Sequence, residues 1–186
     1  YVAGIVAFAS GASASVKNCY NRAYVESTGS NVGAVVGMTN NASAAMSNLY
    51  YLDFTCSQGI GSAKSTSQTA TAKTRAEMDS ADFVTTMNTG MAGTFGSSRY
   101  SPALSWQTDL IGLTTPTKGN VNLDPFGYVD EEDLALLTEW VNNGLTLDEL
   151  TPEQRAQADL CADGELDALD LDLMTKYIQN PRANKL

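Results

Sequence analysis

The chain has 186 residues, 43% of them apolar, with 11 basic and 21 acidic side chains, no histidine and a net charge of −10. Without histidine the commonest general base, every His-assisted Ser or Cys triad and zinc sites of the Cys/His kind are removed. The acidic balance argues against nucleic acid and anionic membranes, which need clustered basic charge, and no stretch is long and apolar enough to span a bilayer as a helix.

The charge is unevenly placed. Residues 1–115 balance at six basic against six acidic groups, whereas residues 116–186 hold five basic and fifteen acidic ones and so carry the whole net charge. The first part is rich in Ala, Ser, Gly, Thr and Asn, and it repeats. Val2-Ala3-Gly4-Ile5-Val6-Ala7-Phe8 matches Val32-Gly33-Ala34-Val35-Val36-Gly37-Met38, and Ser13-Ala14, Asn18 and Tyr20 match Ser43-Ala44, Asn48 and Tyr50, all at an offset of 30. A fixed period of small residues and short β-branched runs predicts stacked β-coils, in which Gly and Ala let neighbouring backbones approach. The pattern resembles the Gly-rich repeats of large bacterial surface proteins, a Gly-Ile-Val-Gly-type strand followed by an Asn-Cys-Tyr-Asn-type strand, here Asn18-Cys19-Tyr20-Asn21. Two copies are too few for a solenoid alone. With Tyr1 in mid-repeat and no signal peptide, the expectation is a fragment of something longer. Tyr20, Tyr24, Tyr50 and Tyr51 are either stacked core or exposed aromatics for sugar binding.

A capping segment is expected next. Thr74-Arg75-Ala76-Glu77 is a capping-box sequence leading into Met78, Phe83, Val84 and Met87, a helix of about four turns. Tyr100 to Trp106, containing Pro102, reads as a last edge strand that closes the solenoid core. Residues 110–117 form a short linker between a β-rich domain at 1–109 and a second domain at 118–186. Cysteines stand at 19, 56 and 161; Cys19 sits in an expected strand, where a free buried thiol is common, and a Cys19–Cys56 bridge is the alternative. Six acids, Glu26, Asp53, Glu77, Asp79, Asp82 and Asp109, are all that the first part offers a glycosidase-type carboxylate pair, so no enzyme activity is expected.

The acidic part contains two loops that each run into an apolar helix. An EF-hand-type loop draws oxygen ligands from positions 1, 3, 5, 7 (a backbone carbonyl), 9 (often through water) and 12, with Gly at 6. In the second loop Asp159, Asp163, Gly164, Glu165, Asp167 and Asp170 fall on positions 1, 5, 6, 7, 9 and 12. Position 3 holds Cys161, a poor ligand for a hard cation. In the first loop Asn120, Asn122 and Asp124 occupy 1, 3 and 5, and Gly127, Tyr128, Asp130 and Asp133 occupy 6, 7, 9 and 12 once Pro125-Phe126 is treated as a two-residue insertion. Leu134, Leu136, Leu137, Trp140 and Val141 follow one loop as Leu171, Leu173, Met174, Tyr177 and Ile178 follow the other, on a helical period. Between them Thr151-Pro152-Glu153-Gln154 is a good helix start. A merely solvated acidic face has no reason to place acids at positions 5, 9 and 12 twice over.

This duplicated region, about residues 117–181, resembles the dockerin modules of cellulosomal and related bacterial surface proteins, with Lys118-Gly119-Asn120-Val121-Asn122 and Gln157-Ala158-Asp159-Leu160 standing where dockerin repeats begin. The resemblance implies an all-α module with two calcium ions, which docks a secreted or cell-surface parent protein onto a cohesin domain of a scaffoldin, in the service of polysaccharide degradation. The expected fold class is therefore two-domain α+β, a β-solenoid-like repeat with a capping helix and then the dockerin. The departures are Asn120, the insertion and Cys161. By the same resemblance the recognition residues are Glu131, Glu132, Thr138 and Glu139 in the first repeat and Ala168, Leu169, Asp172, Thr175 and Lys176 in the second. Their difference implies a single binding orientation, with Ala168-Leu169 as the buried centre. The alternatives are an adhesive or carbohydrate-binding solenoid with an auxiliary calcium module, and a calcium sensor, which would need a Met-rich groove where this region has only Met174.

Overall fold

The computed structural model describes residues 1–98, 101–108, 110–113, 116 and 118–186. It is a mixed α/β structure with two compact units, Tyr1–Ile111 and Gly112–Leu186.

The first unit is built from parallel strands in successive coils. Strands β1 (Val2–Ala3), β2 (Val6–Ala9) and β3 (Ser15–Asn21) are followed by β4 (Val32–Gly33), β5 (Val36–Thr39) and β6 (Ala45–Leu52), and then by β7 (Ile60–Ser62) and β8 (Thr71–Lys73). The sequence period becomes the pairing register: Val2 lies beside Val32, Val6 beside Val36, Ser15 beside Ala45 and Tyr20 beside Tyr50. A third coil adds β7 to β5 and β8 to β6, with Ile60 beside Val36 and Thr71 beside Tyr50. It is shorter than the first two, which hides it from a search at fixed period.

Small residues are required where the coils meet. A Cβ on Gly33 would lie 2.1 Å from the carbonyl oxygen of Val36 and 2.6 Å from the nitrogen of Gly61, both backbone atoms with nowhere to go. Side chains also form ladders. Asn18 and Asn48 both adopt left-handed backbone conformations, tolerable for Asn, and Asn48 Nδ2 donates to Asn18 Oδ1 at 2.8 Å. Between coils two and three the buried Gln68 accepts from Thr39 Oγ1 (2.6 Å) and donates to the carbonyls of Asn41 (2.8 Å) and Ala44 (3.0 Å). Ala34, Val35, Val36 and Leu49 fill the interior.

The capping segment differs from expectation. In place of one helix there are two, α1 (Arg75–Met78) and α2 (Ala81–Met87), because Ser80 accepts from the Phe83 N–H at 3.2 Å and starts a second helix. Phe83 packs edge-on against both Tyr20 and Tyr50, at ring centroid distances of 5.9 and 5.1 Å. Since these tyrosines belong to adjacent coils, α2 covers the flank of the stack rather than its end. Arg22, buried, reaches Asp79 at 2.5 Å and Ser101 Oγ at 2.9 Å. Of the expected strand at 100–106, Tyr100 lies outside the described residues; Ala103–Leu104 (β10) pairs antiparallel with Phe95–Gly96 (β9), and Ser105-Trp106 turn away. Tyr20 and Tyr50 are thus packed and Tyr51 is buried, while Tyr24 is exposed. Cys19, Cys56 and Cys161 are free thiols, so there is no Cys19–Cys56 bridge.

The second unit holds α3 (Glu131–Asn142), a short 3-10 turn (Leu147–Glu149), α4 (Pro152–Ala158) and α5 (Ala168–Gln179). Leu137 and Trp140 of α3 and Met174 of α5 meet Val121, Leu147, Leu150, Ala158 and Leu160 in one core. Thr151 caps α4, with Pro152 at its first turn and Gln154 completing the capping box, which satisfies helix-end N–H groups.

Gly33→Ala should cost about 1–3 kcal/mol, the usual range for forcing atoms into a packed interior. The check is urea denaturation, where a lower midpoint at unchanged slope is expected; a wild-type midpoint would contradict the close approach.

Candidate metal centre

Each loop of the second unit is closed by a carboxylate with no solvent exposure. Asp133, in the first turn of α3, accepts from the backbone N–H of Asn122 (3.1 Å) and of Asp130 (3.1 Å). Asp170, in the first turn of α5, accepts from Leu160 (2.8 Å), Cys161 (3.2 Å) and Asp167 (3.0 Å). The carboxylate at position 12 thereby ties the start of its loop to the start of its helix. Position 9 caps the same helix: Asp130 Oδ1 accepts from Glu132 N–H at 3.0 Å and Asp167 Oδ1 from Leu169 N–H at 2.7 Å. Each also completes a capping box with the position-12 aspartate, Asp130 with Asp133 and Asp167 with Asp170.

The early positions converge as well. In the first loop Asn120 Oδ1 and Asn122 Oδ1 both accept from the Asp124 N–H, at 3.0 and 2.9 Å, and Asp124 Oδ1 accepts from Phe126 and Gly127. In the second loop Asp163 Oδ1 accepts from Glu165 N–H at 2.9 Å. Leu123 and Ala162, at position 4, both have positive φ (56° and 61°), as do Gly127 and Gly164 at position 6 (65° and 85°). The same unusual backbone at the same positions supports the register, with the insertion bulging out between positions 5 and 6. There Phe126 stacks on Tyr128 at 5.7 Å. Tyr128 and Glu165 stand at position 7, where the backbone carbonyl is the expected donor.

The residues fit a hard divalent cation. Among the described residues, Asp124 Oδ2 and Asp159 Oδ1 are buried side-chain oxygens without a hydrogen-bond partner, one in each loop. Leaving a buried acceptor unpaired is costly, and a cation removes the cost. Burial pushes the Asp133 carboxyl above the ordinary range, helped by the Asp130 and Asp124 charges and opposed by the two backbone donors. Ligand atoms of Asp159, Cys161 and Asp170 lie within 4.8 Å of one another. Cys161 is the weak member. Desolvation first, then the hydrogen bond to Asp163, pushes its thiol up to about 11, so it stays protonated at neutral pH. Backbone and thiol donors from Glu165 and Cys161 hold Asp163 below the usual carboxylate range.

Two contacts join the loops and were not legible in the sequence. Gln157, at the end of α4, accepts from Gly119 N–H through its backbone (3.0 Å) and from Asn120 N–H through its side chain (3.3 Å). Lys118 Nζ donates to the Asp159 carbonyl. Helical periodicity locates α4 but carries no signal for what its last turn touches.

The expected recognition residues lie along α3 and α5. Glu131, Glu132, Glu139, Ala168, Asp172 and Lys176 are exposed and Thr138 and Thr175 half-buried. Leu169 is 56% exposed, a large apolar side chain left in water at the start of α5. Lys176 pairs with Asp172 at 2.5 Å.

Two loop–helix units, related position by position and sharing one core, define a small duplicated module built around two acidic loops of EF-hand-type pattern. Residues 118–179 match the family model of the dockerin type I domain, so a dockerin domain is present in the C-terminal part of this chain. Dockerin domains are non-catalytic, bind calcium and dock on cohesin domains, and occur in secreted, cell-surface or cellulosome proteins. Neither a curated protein nor a solved structure matches the chain.

Cys161→Asp should strengthen calcium binding at the second loop by supplying an oxygen at position 3, and Asp124→Ala should weaken the first. Isothermal titration with calcium should resolve a tighter second event for Cys161→Asp; an unchanged isotherm would show that position 3 does not reach the ion.

Proposed function

We propose that this protein is attached through its C-terminal module to a cohesin domain of a scaffoldin, and that two calcium ions order the docking surface. The observation that carries the reading is the pair of fully buried aspartates, Asp133 and Asp170, each closing an acidic loop onto an exposed helix face. Asn120, Asn122, Asp124, Tyr128 (through its carbonyl), Asp130 and Asp133 would hold one ion, and Asp159, Asp163, Glu165 (through its carbonyl), Asp167 and Asp170 the other. When bound, calcium supplies the positive charge that lets these oxygens converge. The chain's own residues then do the rest: the loops fix the starts of α3 and α5, and the shared core holds the two helices together.

In this reading the module is all-α and spans residues 118–186 after a linker at 110–117, and the parent protein works outside the cell, on the bacterial surface or in a cellulosome-like assembly. The first unit, residues 1–109 by the same division, is a β-solenoid whose capping helices lie along its flank. It is non-catalytic: Asp79 is held by Arg22, and Glu77 is occupied by Lys73 at 2.7 Å and by its capping box. A calcium sensor is disfavoured because Met174 is wholly buried in the core.

The two helix faces differ enough for a single orientation on the partner. The exposed Leu169 beside Ala168 makes the start of α5 the centre of the contact, since desolvated apolar anchors dominate binding energy. Against a panel of cohesins, Leu169→Asp should weaken binding by on the order of 2 kcal/mol or more, and Glu132→Ala by less than about 1 kcal/mol. Equal effects in calorimetric titration would overturn the assignment, and no binding to any cohesin would overturn the docking reading.

A further inference from the structure

We propose that the groove between residues 24–30 and 54–58 of the first unit binds a neutral oligosaccharide. The groove encloses about 450 Å³, within the range of small-ligand sites. Its walls carry Tyr24 and Phe54, which occupy equivalent places in successive coils. They are 58% and 41% exposed, and their ring centroids lie 5.9 Å apart. By contrast Tyr20, Tyr50 and Phe83 are packed against one another; Tyr1 and Phe8 form another exposed, stacked pair, but it is Tyr24 and Phe54 that line the groove. Two partly exposed aromatic rings from neighbouring coils, lining one groove, mark a contact surface.

The remaining lining selects the ligand. Glu26, Ser27, Ser57 and Gln58 supply carboxylate, hydroxyl and amide groups beside the rings. Glu26 is the one charged side chain among the described lining residues, and the first unit as a whole balances its charges. No basic group stands among those described residues to recognise a phosphate, a sulfate or an acidic sugar. A ligand with an apolar C–H face and a rim of hydroxyls, and no net charge, matches both halves of the lining.

The groove is also braced in advance. Val25 N–H donates to the Thr55 carbonyl at 3.0 Å, holding its two walls together. Buried Thr55 is anchored in turn by its hydroxyl on the Leu52 carbonyl (2.7 Å). Asn21 bonds both the N–H (3.0 Å) and the carbonyl (2.9 Å) of Ala23, fixing the turn into Tyr24, and Gln58 Nε2 donates to the carbonyls of Val32 and Gly61, both at 3.2 Å. A site built on coil backbone loses little freedom on binding. This inference stands apart from the docking reading, because its residues belong to the first unit alone.

The test is affinity electrophoresis of the intact chain, in calcium, through gels containing xylan, xyloglucan, mixed-linkage β-glucan, galactomannan or hydroxyethylcellulose. At least one should retard the protein. Tyr24→Ala and Phe54→Ala should each weaken that affinity about tenfold, equivalent to ~1.4 kcal/mol, with an unchanged melting temperature. Retardation by none of the five, or equal retardation of wild type and the double variant, would overturn the site. Should the variants fold poorly, backbone chemical shifts of the wild type with a matching oligosaccharide decide: changes at Gly29, Ser57 and Gln58 support the groove, and changes confined elsewhere overturn it. Cohesin binding should be unaffected by either substitution, so the two readings fail separately.

Discussion

Burial of an aspartate at the mouth of a helix is the constraint on which the C-terminal module depends. Asp133 and Asp170 have no solvent exposure, and each accepts two or three backbone hydrogen bonds that close its loop onto its helix. Taking a carboxylate out of water is expensive unless it is paired, and the backbone N–H groups around each one offset only part of that cost. Further unpaired oxygens on Asp124 and Asp159 add to the deficit. In the reading proposed above, a divalent cation in each loop would turn this accumulation of negative charge into the source of the module's order, so that binding free energy becomes folding free energy. The apolar core around Leu137, Trp140 and Met174 is small, and on the proposed reading cations align the helices that build it.

The first unit solves a different problem with balanced charges. Its coils present backbone to backbone, and glycine or alanine stands where any larger side chain would collide, as Gly33 does against Val36 and Gly61. Asn18 with Asn48, and Gln68 with Thr39, supply the polar links between coils. The flank is sealed by Phe83 on the paired tyrosines and by the buried Arg22–Asp79–Ser101 cluster. One unit is therefore ordered by backbone pairing along its length, the other, on the proposed reading, by ions at two points.

What the sequence made legible follows from how narrowly each feature restricts residue type. Oxygen-bearing residues at fixed loop positions and apolar residues on a helical period leave a pattern in one dimension, and positive φ recurs on both sides of the Pro125-Phe126 insertion, at Leu123 before it and Gly127 after it, as at the equivalent Ala162 and Gly164 of the second loop. The period of 30 likewise reappears as strand register because parallel stacking pairs equivalent residues. The third coil was missed because shorter connections break the period and Ile60-Gly61-Ser62 resembles its counterparts too little. The break between α1 and α2 turns on Ser80, whose capping role competes with a helical pattern that runs straight through it. Contacts such as Arg22 to Asp79 or Gln157 to Asn120 are set by tertiary placement, and no local pattern announces them.

The claim that cations order the second unit can be read at Trp140, which is buried in its core, provided the exposed Trp106 is silenced. In a Trp106→Phe chain the only remaining tryptophan is Trp140. Its emission should be red-shifted, as from a solvated indole, in EDTA, and should move to the blue in a saturable way as calcium is added. An emission maximum that is the same in EDTA and in calcium, with the same cooperative melt, would contradict the account.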